Sequence, residues 1–217
     1  MNGCSFSGEG RGIGTRRDES KYNAILDAAV LVMAESGYHH AQIARIAKAA
    51  GVADGTVYLY FKNKEDILIS VLRHTIGEIV DKATETSAKA ASAEEQLRGL
   101  VRMYFGELGV RRDLAMVTQV HLRQVDTNIR REIGNIMKPF YNLLDEMFDR
   151  GVREGVFSPN LNRRITRRLI FGTMDETVSA WVLSGAKYDL ASLANDVVDA
   201  LLYGLTGPKA NDTEQKD

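Results

Sequence analysis

Within residues 42–66, QIARIAKAAGVADGTVYLYFKNKED, the apolar spacing leaves room for little except two short helices meeting at a tight turn. Ile43, Ile46, Ala47 and Ala50 recur at i, i+3, i+4 and i+7 and form the stripe of the first helix. Gly51 follows, where a left-handed residue ends a helix, and Val52 supplies the hydrophobic plug of the turn. Asp54 is placed to cap a second helix over residues 55–61, with Val57, Tyr60 and Phe61 inward and Gly55, Thr56, Tyr58 and Leu59 outward. Helix, short turn, helix is the geometry that lays its second helix in the major groove of DNA. Asn63 then caps a third helix, with Lys64 in its first position and Asp66 where a carboxylate favours the positive helix end.

At these residues the sequence resembles the TetR-type transcriptional regulators. Ile46-Ala47, Ala50-Gly51-Val52, Gly55-Thr56-Val57-Tyr58-Leu59-Tyr60-Phe61 and Lys62-Asn63-Lys64-Glu65-Asp66-Ile67-Leu68 carry the likeness. It departs at Ala41-Gln42, where relatives often have two threonines. By chemistry, Gly55 and Thr56 approach bases, and Tyr58 and Tyr60 reach phosphates or a thymine methyl. Gln42 donates to a phosphate, Lys64 with its helix N-terminus holds another, and Asp54 and Leu59 complete the expected contact set. One such helix covers too few base pairs for genomic specificity, so a homodimer on a pseudo-palindromic DNA operator is expected, its heads about 34 to 36 Å apart or somewhat more.

The chain has 217 residues, 44% hydrophobic and 26% charged, enough for one or two domains with a core. Three prolines and many stripes of period 3.6 point to an all-α fold, an N-terminal three-helix head and a C-terminal helical body for ligand binding and dimerisation. The net charge of −1 carries no nucleic-acid signal, and residues 1–64 hold 8 Lys and Arg against 6 Asp and Glu, a net of +2. The DNA reading therefore rests on the motif. Cys4 is the lone cysteine, which excludes an intramolecular disulfide and makes a reducing cytoplasm the simplest setting. No apolar run of about 18 residues is present, so no membrane span is expected.

Residues 1–20, rich in glycine, serine and charge, read as a disordered arm. Its Gly8, Gly10, Gly12 and Gly14 lack the spacing and preceding strand of a phosphate loop. Arg11, Arg16 and Arg17 are candidates for the minor groove or backbone of DNA, with a solvated tail the preferred reading. Residues 21–66 form the head, begun by a helix over 21–36 that carries Tyr22, Ile25, Leu26, Ala29 and Met33 and ends at Gly37. A helix from Asn63 to about Asp81 leaves the head as the mechanical link, and Ala83–Ala93 marks a corner. The body spans 67–207, with helices over 93–109, 113–124, 128–154, 163–183 and 190–205 punctuated by Gly109, Gly155, Gly185 and Gly207, and 208–217 is a disordered tail. Pro139 is expected to kink its helix near Lys138. The apolar face from Leu190 to Leu205 is wide enough for two partners, so with 163–183 it forms half of a four-helix bundle closed by a second subunit. In TetR-type proteins the last two helices have this role.

The body also resembles one branch of that family, the acyl-CoA-responsive regulators of fatty-acid degradation. Val52-Ala53-Asp54-Gly55-Thr56, the run Val117-Thr118-Gln119-Val120-His121-Leu122-Arg123-Gln124, the run Ile170-Phe171-Gly172-Thr173-Met174-Asp175-Glu176-Thr177-Val178, and Lys187-Tyr188-Asp189-Leu190 carry it. The resemblance implies a long-chain acyl-CoA effector. An acyl chain needs a dry tunnel, for which Tyr104, Phe105, Leu108, Met116, Val120, Tyr141, Leu144, Phe148, Phe171 and Met174 offer aromatic and flexible surface, though most serve equally as core. Arg123 and Asp175 are ionised groups inside apolar patterns and must pair with each other or serve a ligand. Arg163, Arg164, Arg167 and Arg168 crowd a helix N-terminus that disfavours cations. Arg164 and Arg168 are the pair expected to hold coenzyme A phosphates, against salt bridges or a solvated face.

Two other readings remain open at this point. A sensor of cationic drugs controlling an efflux pump wants an aromatic, acidic cavity, whereas the arginines of the body favour an anion. A helical acyl-CoA enzyme would draw acid and base from Asp175-Glu176 and His121, yet no serine sits in a nucleophile elbow. His39-His40 and His74 lack carboxylates or cysteines at metal-ligand spacing. Neither catalysis, a metal nor a resident cofactor is expected.

Overall fold

A computed structural model describes residues 18–121 and 127–204, apart from the side chains of Val120, His121 and Asn128. The expected arm through Arg17, Arg123, the tail, and the helix-end residues Leu205 and Gly207 lie outside the described residues. Among the described residues every regular element is a helix.

The first helix, α1 (Glu19–His40), starts two residues before the expected Lys21, because Asp18 accepts from Ser20 N at 3.1 Å and caps it. Ile25, Leu26, Ala28, Ala29, Val32 and Met33 form its buried stripe. Gly37, at φ 73°, interrupts the helical backbone where the sequence places the end. Next, α2 (Ile43–Ala49) closes on Gly51 at φ 68°, with Val52 N donating to Ala47 O at 3.0 Å and Gly51 N to Lys48 O at 3.2 Å. That pair of bonds consumes the carbonyls a helix end leaves orphaned. In α3 (Asp54–Tyr60) the cap is Ala53 and Asp54 is the first helical residue, so Asp54 serves the helix dipole rather than capping by hydrogen bond, correcting the sequence reading.

Asn63 opens α4 (Lys64–Lys89), accepting from Asp66 N at 2.8 Å while Asp66 Oδ2 accepts from Lys62 N at 2.9 Å. The helix does not stop near Asp81. It runs through the Ala- and Thr-rich segment because alanine favours helix and Thr84 and Thr86 bond back to Val80 O and Lys82 O, each at 2.8 Å. Here α4 lies tight on α5 (Ala93–Gly109): a Cβ on Gly99 would come within 2.8 Å of Thr86 Cγ2. Ser92 and Glu95 cap α5 reciprocally, Ser92 Oγ accepting from Glu95 N and Glu95 Oε2 from Ala91 N.

The body wraps α5 with α6 (Arg112–His121), α7 (Thr127–Arg153), α8 (Arg163–Leu183) and α9 (Ala194–Tyr203). Helical structure continues on both sides of the exposed Pro139 in α7. The expected final helix is divided: Leu190–Leu193 is a 3-10 turn capped by Asp189, and α9 follows, ending at Gly204 with φ 64°. Residue Glu154 near the end of α7 accepts from Ala93 N at 2.6 Å, and Arg150 donates to Ala90 O and Ala91 O, pinning the α4–α5 corner. Head and body share α4, and α1 packs directly on α6, a contact the sequence reading did not include.

Candidate functional site

The outward face of the head is α3. Tyr58 and Leu59 are 57% and 72% exposed, an unusual state for such side chains, and Asp54 and Gly55 are exposed beside them. Gln42 is exposed at the start of α2 with its side chain making no capping bond, and Thr56 is half-buried. Two of the expected DNA contacts also make bonds within the head. Tyr60 packs 6.3 Å from the Tyr22 ring and its hydroxyl donates to Asp18 O at 3.3 Å, so it braces α3 against α1. Lys64 Nζ donates to His39 O at 2.8 Å and lies 4.8 Å over the Tyr38 ring, which ties the start of α4 to the end of α1. Val57 and Phe61 are buried and fix the pitch of α3.

In the body, five helices converge on an apolar cavity of about 20 Å³. Ile76 and Ile79 come from α4, Tyr104 and Leu108 from α5, Thr118 from α6, Met137 and Phe140 from α7, and Phe171 from α8. Of the residues expected here, Tyr104, Leu108 and Phe171 line it. Tyr141 stands behind, its ring 5.6 Å from that of Phe171. Met116 and Leu144 are not among its lining residues, Leu144 being buried in the general core. Val120 and Arg123 cannot be placed, lying outside the described side chains. Ile76, Ile79, Thr118, Met137 and Phe140 escape the sequence reading, because a helix stripe does not say which of its apolar residues face a gap. On the outer side of the same α4–α7 seam, Gly77, Val80, Ile136 and Pro139 border a groove crossed by the ion pair of Arg73 and Glu132 at 3.6 Å.

Behind the Tyr104 wall lies a polar cluster of Ser179, Gln119 and Asp175, none of which lines the cavity itself. Ser179 Oγ donates to Asp175 O at 2.9 Å, which uses its only proton. Its oxygen therefore accepts from the Gln119 amide 2.7 Å away, and in that orientation the amide nitrogen also reaches Asp175 Oδ1 at 2.8 Å. Gln119 also bonds the Tyr104 hydroxyl, whose pKa burial pushes well above the ordinary phenol range, with the charge of Asp175 adding to the effect. The four-arginine cluster divides. Arg163 bonds Asp149 at 2.6 Å, and Arg167 bonds Asp145 at 2.7 Å while lying over the Tyr141 ring. Arg164 and Arg168 are exposed beside them. Among the described residues no group of His, Cys, Asp and Glu could hold a metal, and no helix is long and apolar enough to cross a membrane.

A three-helix head that presents a short outward helix, carried on a helical body built around an apolar cavity, defines a DNA-binding regulator with a sensing domain. The chain belongs to the TetR family: residues 25–71 match the bacterial regulatory proteins of the tetR family and residues 72–204 the YsiA-like protein C-terminal region. It is 44% identical to the fatty acid metabolism regulator protein of Bacillus subtilis, covering 88% of this chain and 98% of that one. The fatty acid degradation regulator FadR from Bacillus halodurans superposes with a TM-score of 0.84 at 49% identity, over 87% of this chain and 97% of that one. The FadR regulator from Bacillus subtilis, in complex with stearoyl-CoA, superposes at 0.82 with 45% identity, over 85% of this chain and 99% of that one. These relatives are transcriptional regulators, and the chain is one of them rather than an enzyme.

Proposed function

We propose that the protein is a homodimeric cytoplasmic repressor of fatty-acid metabolism genes that leaves its operator when a long-chain acyl-CoA binds the body. The observation that carries this reading is the Bacillus subtilis relative holding stearoyl-CoA, close enough at 45% identity for its helices to correspond over 85% of this chain. The apolar cavity at the meeting of α4 to α8 supports an acyl chain, and the exposed Arg164 and Arg168 suit the phosphates of its carrier. The exposed strip of Ile165, Leu169, Gly172, Ala180 and Leu183 on α8 supports a second copy as the partner, since apolar groups on one helix face are stabilised by burial against their like. Tyr58, Leu59, Gly55 and Gln42 remain the residues assigned to DNA, with Lys64 reaching a phosphate by the protons not given to His39.

Genomic fragments retained by the purified protein supply the operator for the test. Stearoyl-CoA is expected to release that duplex at micromolar concentration while coenzyme A alone does not. Retention of the duplex under saturating stearoyl-CoA would overturn the effector. A cationic effector draws its support from Asp175 beside Tyr104 and Tyr141, and the same assay with a quaternary ammonium dye decides it.

A further inference from the structure

The cavity inside the body and the groove outside it lie back to back across the α4–α7 seam. Ile76 and Ile79 of α4 and Met137 and Phe140 of α7 line the cavity, whereas their chain neighbours Gly77, Val80, Ile136 and Pro139 border the groove. One layer of side chains divides the two. The volumes are unequal, about 20 Å³ inside against about 410 Å³ outside, and only the second falls in the range of roughly 300–1,000 Å³ that ligand sites occupy.

The dividing wall also yields readily. Met137 is unbranched, with three rotatable bonds and a soft thioether that repacks around a guest. Pro139 has no N–H to give Asn135 O, so the turn of α7 along the groove is held by one bond fewer. Across from it, Gly77 brings no side chain, and a Cβ added there would meet nothing within 4 Å. A glycine inside a helix is destabilising relative to alanine, and no close packing requires this one. Its effect is to leave the groove floor open. The Arg73–Glu132 pair over the seam is exposed at both ends, which makes it a weak clasp.

From inside the body a row of rings leads to the same wall. Arg167 lies over the ring of Tyr141, that ring is 5.6 Å from Phe171, and Phe171 is 5.9 Å from Phe140. An acyl chain that enters beside the arginines of α8 and follows these rings arrives at Met137, with the groove behind it.

We propose that the groove over Gly77 receives the far end of a long acyl chain, and that the bare backbone of Gly77 sets the longest chain the protein accommodates. The inference rests on the acyl-CoA reading above and adds to it the residue that measures chain length.

Stearoyl-CoA and the shorter-chained lauroyl-CoA are titrated into wild type, Gly77→Ala and Gly77→Leu, each below its micellar concentration. Gly77→Leu lays a branched side chain along the groove floor, and stearoyl-CoA is expected to bind it roughly tenfold or more weakly than wild type, the loss that follows when two buried methylenes return to water. Lauroyl-CoA, which ends before the groove, is expected to bind both proteins alike. Gly77→Ala is expected to melt no lower than wild type, which shows that the position tolerates a side chain. Val80→Phe narrows the same groove from the next turn of α4 and is expected to shift the stearoyl-to-lauroyl ratio in the same direction, so the outcome does not depend on the folding of one variant. Equal weakening of both thioesters, or weakening of neither, overturns the proposal, whereas failure of wild type to bind either thioester overturns the acyl-CoA reading instead.

Discussion

Arg164 and Arg168 stand apart from the arginines between and beside them. Asp145 and Asp149 compensate Arg163 and Arg167, but the other two sit exposed in the first turns of α8, where the helix dipole already disfavours positive charge. An anion relieves both conflicts. Replacing Arg164 and Arg168 by Ala together is expected to weaken stearoyl-CoA binding, by less as salt rises, with operator affinity preserved. Equal affinity of the double variant and wild type at two ionic strengths returns the pair to a solvated face. Lys64 is a different case, because it already holds His39 O. Lys64→Ala is expected to lower the melting temperature and also to flatten the salt dependence of operator binding by about one unit of slope, the signature of one lost phosphate. Loss of stability with the slope intact makes it a brace only. Residues whose role is local were legible in the sequence: Gly51 and Asn63 do their work within four residues of themselves. The polar cluster behind Tyr104 was not, since Ser179 and Gln119 are 60 residues apart and nothing near either announces the other. Tyr60, read from the sequence both as inward-facing and as a DNA contact, packs against the Tyr22 ring.

At the scale of elements, the sequence revealed the helices better than their ends. Boundaries set by a glycine or a side-chain cap fell where expected at Asn63 and Gly109, and at Gly37 the helical backbone breaks as expected although α1 resumes to His40. Those inferred from a weak apolar pattern did not, because α4 continues on alanine propensity and back-bonded threonines where burial thins out. The consequence is mechanical. A 26-residue helix reaches about 39 Å, from the head to the α5 corner, passing the cavity at Ile76 and Ile79. Glu78, between those two, accepts from Arg111 at 2.8 Å and lies 3.3 Å from His74, so α4 is also tied to the segment that leads into α6 and thence to α1. Burial alone would raise the Glu78 pKa, but the hydrogen bond and charge of Arg111, helped by His74 and Lys82, hold it below 4.5. A depressed folded value means stability that is present above 4.5 and lost as pH falls through the lower one. Glu78→Gln is therefore expected to unfold at lower denaturant than wild type at pH 7, by ~0.5 kcal/mol or less for so exposed a pair, with the gap closing below pH 4.5. A gap that persists at pH 3 assigns the loss to packing rather than charge.

For the whole molecule, a cavity of about 20 Å³ holds little more than one water, whereas ligand sites run to roughly 300–1,000 Å³. An acyl chain can enter only if helices around it part, and α4 and α6 carry that movement to the head by two routes. Binding of effector and operator must then oppose each other reciprocally, each weakening the other by the same factor. A movement of one head matters to DNA only through its distance from a second head, which makes the exposed face of α8 the last requirement. Ile165, Leu169 and Leu183 are 57%, 56% and 80% exposed, on the strip that also carries Gly172 and Ala180. In a two-fold interface a substitution appears twice, so Leu169→Glu sets two carboxylates into one apolar seam. It is expected to sediment as a monomer at micromolar concentration where wild type is a dimer. Operator affinity should fall by at least about a hundredfold, since two half-sites no longer share one ligand and the gain from effective concentration is lost. Stearoyl-CoA binding should survive, because the cavity lies on the opposite, buried side of α8 at Phe171. A Leu169→Glu protein that remains dimeric moves the interface elsewhere, and a monomer with full operator affinity removes the dimer from the mechanism.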